Sequence, residues 1–553
     1  MVYPEQPSRP SKVLVIGLDG ATWDLFAPWM DEGLLPNLAY VRRHGVWGEL
    51  QSTTPPVTAP AWITFQTGVN PGKHGFFDFT RYQLGSYETP LLSTRDLALP
   101  TLWRILGDAG QRVIVINVPI TYPPEPVNGL LVSGMMTPNT KVHFTYPKEL
   151  AQELKQVVGD YHIFTPLRRV DVMGPRAFVD RLISVIQGRA TAALHLIARY
   201  PWDFFMVHFQ STDVLQHTLY HYLDAHHPLA KNTNPRDRQH VFQFYRVLDE
   251  LLGKILTASG SGTMRIVMSD HGFGPLTKRI YLNRLLAKEG LLAVRSGERG
   301  LRAIAATEAA LRKLDVLKLR RRLLSDFGAG DQLARKAIGI SQIDWARTHA
   351  FVLPGAVYGR VYVNRKGREA QGIVQDEAYE PLRDEIVRKL LAAIDPENGQ
   401  PLFQQVLRRE EVYYGPYLEM MPDLIAVPTD GYMITDAFRG ALLVEPAPSM
   451  LTGSHRMNGL VMLAGEGVQQ GLHITGATIA DLAPTVLYVL GVPIPQYMDG
   501  AILNQAFLPS YLAEHPPLRQ ERPIAARSVG TSAYSEEETR MIEDRLKGLG
   551  YLD

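Results

Sequence analysis

Five segments of the chain run apolar without the alternation of a half-exposed strand. They are KVLVIGL (12–18), RVIVINV (112–118), WDFFMVHF (202–209), MRIVMS (264–269) and GLVMLAG (459–465). Such runs are expected of strands covered on both faces in a parallel sheet. Helical patterns fall between several of them, for example at 101–109 and 178–200. Strands alternating with helices predict an α/β fold, a mostly parallel, doubly wound sheet flanked by helices on both faces.

The 553 residues suffice for one large α/β domain with insertions, or for about three to four average domains. The pattern divides them into a first part of the core (12–140), a helical insertion (141–200), a continued core (201–284), a basic helical cap insertion (285–345), a mixed lobe (346–440), a core completion (441–508) and a peripheral tail (509–553). The charged end of that tail, SEEETRMIEDRLKGLGYLD, predicts a short helix. LRKLDVLKLRRRLL (311–324) is basic and amphipathic. It reads as a cap helix with a solvated charged face, or as a peripheral contact with a membrane surface.

Composition narrows the chemistry. Lys plus Arg number 57 and Asp plus Glu 56, so a nucleic-acid polymer is not an expected partner and a small anionic substrate needs only local positive charge. The absence of cysteine excludes disulfides, thiolate ligands and a cysteine nucleophile, leaving His and Asp for any metal. MVYPEQPSRPSK lacks the apolar stretch of a signal peptide, and no run of about 18 apolar residues occurs, so a soluble cytoplasmic protein is expected.

Candidate chemistry gathers at the ends of the apolar runs. Asp19 follows the first, where open α/β sheets place their sites, although Asp-Gly after a strand is also a common turn. Thr58, in TTPPVTAPAWITFQTGVNPGKHG (53–75), stands just before a helix expected to start near Pro60. Its hydroxyl could act as a nucleophile beside a phosphate bound at the helix N-terminus, or could simply cap the helix. Asp213 and His217 are four residues apart and would share a helix face, converging on one ion or lying on a polar surface with the neighbouring histidines. Asp270 and His271, in IVMSDHGFG, end a buried strand in a glycine-permissive turn from which both could reach a metal. His455, in GSHRMNG (453–459), is expected in a flexible loop before another core strand. Three carboxylates and three imidazoles suffice for two divalent cations, and suit zinc or manganese better than magnesium or calcium.

These motifs, with LLPNL, VLVIGLDG and VMSDHG in the same order, resemble the alkaline phosphatase superfamily, most closely its type I phosphodiesterase/nucleotide pyrophosphatase branch and the predicted phosphohydrolase and phosphomutase group within it. Weaker likeness continues through YLNRLLAKEGLL, YVNRKGREAQGIV, MMPDLIAV and IADLAPTVLYVLGVPIPQYMDG, so that it spans most of 12–505. The resemblance implies an alkaline phosphatase-like core with helical cap insertions, and two cations, zinc or alternatively manganese. It also implies that Asp213, His217 and His455 hold one, while Asp19, Asp270, His271 and the Thr58 oxygen hold the other. The implied reaction is hydrolysis of phosphodiesters or phosphomonoesters, including nucleotide-type ones, through a phosphothreonine. Alternatives are a phosphotransferase or phosphomutase using the same nucleophile, or a non-catalytic phospho-ligand binding protein. Two positions depart from relatives: Ala61 stands where many carry a phosphate-binding Asn, and Trp62 where sulfatases carry Arg.

Overall fold

The structure, a computed structural model, describes residues 11–164, 173–295, 342–438 except 354 and 356, 442–521 except 449, and 533–551. The basic stretch 311–324 and most of the expected 285–345 cap lie outside the described residues.

Each of the five apolar runs contains a strand of one nine-stranded sheet. From edge to edge its strands are Leu472–Thr478, Val46–Gln51, Asn458–Ala464, Thr263–Met268, Lys12–Leu18, Phe204–Phe209, Val113–Ile116, Gly129–Val132 and Thr145–Tyr146. Lys12–Leu18 pairs in parallel with both neighbours, Val13 facing Phe204 on one side and Met264 on the other. Asn458–Ala464 and Thr145–Tyr146 run antiparallel to their partners.

The first strand shows why the pattern is continuous. Leu14, Ile16 and Leu18 enter the apolar cluster on one face of the sheet, and Val13 and Val15 enter that on the other. Full burial contributes about 1.5–3 kcal/mol for each such side chain, against about 1–2 kcal/mol of backbone entropy for each residue fixed. The first face is covered by helices that include Pro175–Arg199 and Pro235–Ala258, the second by helices that include Thr58–Thr67 and Leu482–Val489. The strand Val46–Gln51 alternates between buried and exposed residues towards its end, and Leu472–Thr478 is largely exposed, so neither carries the continuous signature.

A smaller four-stranded antiparallel sheet, in the order Ala350–Val352, Gly359–Val363, Leu424–Pro428, Phe403–Arg408, packs with the helix Asp376–Leu391 around an apolar cluster of its own. No helix of the described residues is long and apolar enough to cross a membrane.

The tail expected to be peripheral is not so throughout. Its helix, Glu536–Gly548, is present, but Ile542, Leu546, Leu549 and Tyr551 are buried in the main core cluster. Charged residues dominate that helix and make it read as solvated; the few apolar positions fall three and four apart and form a narrow docking stripe.

The helix Thr58–Thr67 is buried at every position, which requires close approach to the sheet. Gly17 permits it: a Cβ there would lie 2.6 Å from the Trp62 ring. Gly17→Ala should therefore overpack this contact and destabilise the fold by about 1–3 kcal/mol in denaturant unfolding, with Trp62→Leu in the same chain restoring part of the loss. An unchanged unfolding midpoint in Gly17→Ala would show that the helix has room to shift.

Candidate active site

The carboxyl ends of three neighbouring parallel strands, Lys12–Leu18, Phe204–Phe209 and Thr263–Met268, deliver the site residues. Asp19 follows the first directly. Gly20, at φ 69°, turns the chain sharply, and a Cβ on it would meet the Phe273 ring at 2.8 Å. The turn is pinned from two other elements: Thr212 Oγ1 donates to the Asp19 carbonyl at 2.6 Å, Gln216 Nε2 to the Gly20 carbonyl at 2.9 Å, and the Gly20 amide to Asp270 Oδ1 at 3.3 Å.

Asp213 and His217 share one face of the buried helix Ser211–Leu223, with His217 Nε2 3.3 Å from Asp213 Oδ1. Asp270 and His271 fill the turn after Thr263–Met268, held by Ser269 Oγ donating to the His271 carbonyl at 2.6 Å. His455 is not in a loop. It belongs to the short strand Gly453–Arg456, which pairs antiparallel with Gly272–Pro275 so that His455 faces Phe273. The pairing stacks the His455 and His271 rings 3.6 Å apart.

Thr58 differs from the capping expectation. The helix begins at Thr58, and Val57, in extended geometry, is the N-cap with no side-chain bond. The Thr58 hydroxyl lies instead 3.4 Å from His271 Nε2 and 3.2 Å from the Tyr551 hydroxyl. The first-turn amides of Thr58 and Ala59 have no carbonyl acceptor within the helix, and Pro60 has no amide to leave unsatisfied. Ala61 and Trp62 belong to the apolar cluster on that face of the sheet, Trp62 packing edge-on to His208.

The seven residues thus form one continuous cluster. His271 Nε2 is 3.4 Å from Asp19 Oδ1 and from Asp270 Oδ2, and His455 Nε2 is 3.2 Å from Asp213 Oδ1. Two sets of donor atoms lie within 4.8 Å of one another: Asp213, His217 and His455, and Asp19, Asp213 and His271. Asp213 is shared between them, and Asp270 adjoins the second through His271.

The donors fit divalent cations. Nδ1 of His217, His271 and His455 faces the carbonyls of Gly453 at 3.2 Å, Gly272 at 3.0 Å and Pro56 at 2.8 Å. A carbonyl only accepts, so each Nδ1 carries the hydrogen and each Nε2, turned inward, is the nitrogen available to a cation. Two such nitrogens, on His217 and His455, face each other at 2.9 Å. A cation held by both would convert that repulsion into attraction. Asp19 Oδ1, Asp213 Oδ1 and Asp270 Oδ2 are likewise buried without accepting a hydrogen bond.

Charge follows the same geometry. Burial, then Asp270 and Asp213, push the Asp19 carboxyl well above its ordinary range, and burial also raises Asp270. Burial and the neighbouring His271 depress His455 to about 3.

Two residues here carry no local sequence signal for their roles. His208 sets Nε2 3.0 Å from Asp19 Oδ2 while Nδ1 lies 3.0 Å from the Asn117 carbonyl, and so orients Asp19 from beneath. The Tyr551 hydroxyl donates to Asp213 Oδ2 at 3.2 Å and lies 3.4 Å from His455 Nε2.

The model of the type I phosphodiesterase/nucleotide pyrophosphatase family matches residues 13–458. No curated protein matches the sequence. Among solved structures, the chain is similar to phosphonoacetate hydrolase from Sinorhizobium meliloti 1021, in complex with phosphonoformate, at 16% identity and a TM-score of 0.53, covering 88% of this chain and 96% of that one. It is also similar to human ectonucleotide pyrophosphatase/phosphodiesterase 5, at 13% identity and a TM-score of 0.48, covering 89% of this chain and 97% of that one. With well over half of its length matched by the family model, the chain belongs to the type I phosphodiesterase/nucleotide pyrophosphatase family, hydrolases of the alkaline phosphatase superfamily.

Proposed function

We propose that the protein hydrolyses small phosphodiesters or phosphomonoesters through a phosphothreonine at Thr58, with two divalent cations, zinc or manganese, held by six His and Asp ligands. The observation that carries this reading is the seat of the Thr58 hydroxyl. It stands in the first turn of a buried helix, makes no capping bond, and lies 3.4 Å from His271 Nε2 within a cluster of three buried carboxylates.

In this reading Asp213, His217 and His455 hold the first cation, and Asp19, Asp270, His271 and the Thr58 oxygen hold the second. Such cations supply Lewis acidity, lowering the pKa of a bound hydroxyl and neutralising charge on phosphoryl and leaving oxygens. Thr58 Oγ attacks phosphorus as the bond to the leaving oxygen breaks, and water then cleaves the Thr58 ester, returning the hydroxyl. The amides of Thr58 and Ala59 and the helix N-terminus stabilise the phosphoryl oxygens, a role that the methyl group of Ala61 cannot fill.

Thr58→Ala loses no cap, only small side-chain groups, so it should cost about 1 kcal/mol of stability. Turnover of aryl phosphoesters should nevertheless fall by several orders of magnitude, and Thr58→Ser should retain measurable activity. Acid quenching during turnover, followed by peptide mapping, should find phosphate on Thr58; near-normal turnover in Thr58→Ala sinks the assignment.

Chelation should abolish turnover, and zinc or manganese should restore it. An ion at 100 times its dissociation constant should add about 2.7 kcal/mol of stability, visible in thermal unfolding. Asp19→Asn removes one of the crowded buried carboxylates. It should raise the melting temperature of the chelated protein yet forfeit most of the ion-induced rise, and a full rise in that variant would remove Asp19 from the ligand set.

With Trp62 buried at the position where sulfatases carry Arg, aryl sulfate turnover should be far below aryl phosphate turnover. A sulfate preference in a side-by-side assay would contradict this reading.

A further inference from the structure

The helix Glu536–Gly548 ends in a turn that aims Tyr551 at the site. The Gly550 amide donates to the Lys547 carbonyl at 3.1 Å and the Tyr551 amide to the Leu546 carbonyl at 2.9 Å, with Gly550 at φ 82°. This is the Schellman arrangement, in which a left-handed glycine reverses the chain and fixes the direction of the residue after it. The helix itself is clamped. Ile542, Leu546 and Leu549 are buried, and Arg545 donates to the carbonyls of Thr137 at 2.8 Å and Pro138 at 2.6 Å.

What the turn delivers is a phenol against the reacting groups. The Tyr551 oxygen is 3.2 Å from Thr58 Oγ, 3.2 Å from Asp213 Oδ2 and 3.4 Å from His455 Nε2. Its ring packs against Phe79 at 4.9 Å and edge-on to His217 at 5.6 Å and His455 at 5.5 Å. Thr58, Asp19, Asp213, Asp270, His271 and His455 are all at most 1% exposed in this arrangement. The cavity that remains, bordered by Leu276, Val357, Met433 and Leu451, is about 10 Å³, room for about one water. A phosphoester cannot reach Thr58 while Tyr551 is in place.

We propose that the space filled by the Tyr551 ring is the leaving-group pocket of the active site, shaped for an aromatic ring, and that residues 549–551 compete with substrate for it. This rests on the reading of Thr58 as nucleophile and of Asp213, His217 and His455 as the ligands beside the leaving oxygen. The phenol oxygen adjoins Asp213 and His455 as an aryl leaving oxygen would, and the ring lies between Phe79 and the two imidazoles. The substrates it fits are phosphoesters of aromatic alcohols, and the enzyme as described is closed by its own tyrosine.

The test is calorimetric titration of the zinc-loaded full chain with phenylphosphonate and methylphosphonate, in the wild type, Tyr551→Ala and Gly550→Ala. Gly550→Ala keeps the phenol but disrupts the turn, because an L-residue at φ 82° is strained and its Cβ would lie 2.9 Å from Leu451. Both variants should bind phenylphosphonate at least tenfold more tightly than the wild type, and each should bind phenylphosphonate more tightly than methylphosphonate. Phenylphosphonate added to the wild type should speed hydrogen exchange at 545–551, a readout that survives if Tyr551→Ala fails to fold. Unchanged or weaker binding in both variants, no preference for phenylphosphonate over methylphosphonate in them, or unaltered exchange would each overturn the proposal. These affinities do not depend on Thr58 as nucleophile, so full activity in Thr58→Ala would defeat the function reading separately.

Discussion

Three carboxylates buried side by side are the constraint around which this molecule is organised. Asp19, Asp213 and Asp270 are each at most 1% exposed, and each keeps one oxygen without a hydrogen bond. Placing like charges together in a low-dielectric interior is costly unless something of opposite charge joins them, and the cost rises steeply as separation falls. The fold must therefore hold the three against their own repulsion. It does so with hydrogen bonds from the Thr212 and Gln216 side chains and the Gly20 amide, and by setting Asp19 and Asp270 just after strands fixed by the sheet and Asp213 in the first turn of a buried helix.

The imidazoles extend the same logic. Every inward-facing Nε2 is fixed by an Nδ1 hydrogen spent on a main-chain carbonyl, so the rings cannot turn to relieve the close approach of His217 to His455. A rigid surround of this kind favours a divalent cation, because the protein has already met the cost of arranging the donors. The apolar mass that makes it rigid is continuous with the core. Gly17 lets Trp62 settle on the first strand, and the helix carrying Thr58 is held beside the His and Asp cluster by that contact.

The segment 533–551 acts on the site from outside the central sheet. Tyr534 stacks on Tyr122 and donates to the Leu92 carbonyl, and Arg545 bridges to 137–138, so the helix is fastened at both ends before Tyr551 enters. The contacts are one narrow apolar stripe and a few long-range hydrogen bonds, the kind of element that can open at less than the cost of global unfolding. Family membership establishes the hydrolase; the tail bears on when its site is accessible.

The sequence by itself determined the sheet and most of the donor set. The continuous apolar runs read as strands buried on both faces, as the sheet has them, and Asp19, Asp270 and His271 follow directly at their ends. The four-residue spacing of Asp213 and His217 is equally local, because an α-helix fixes which residues share a face. Edge strands escaped the pattern since one face stays in water. Tertiary structure alone decided the rest. Thr58 is a first-turn residue and not a cap because Val57 takes the extended position; His455 lies in a strand because 453–456 found 272–275 as its partner; His208 looks like one of several scattered histidines until Asp19 is seen above it. Tyr551 is the sharpest case. Gly550 marks a helix stop in the sequence, but the partners of a side chain hundreds of residues from Thr58 and Asp213 depend on where the helix docks, and its docking stripe of isolated apolar positions is too narrow to read against so many charges.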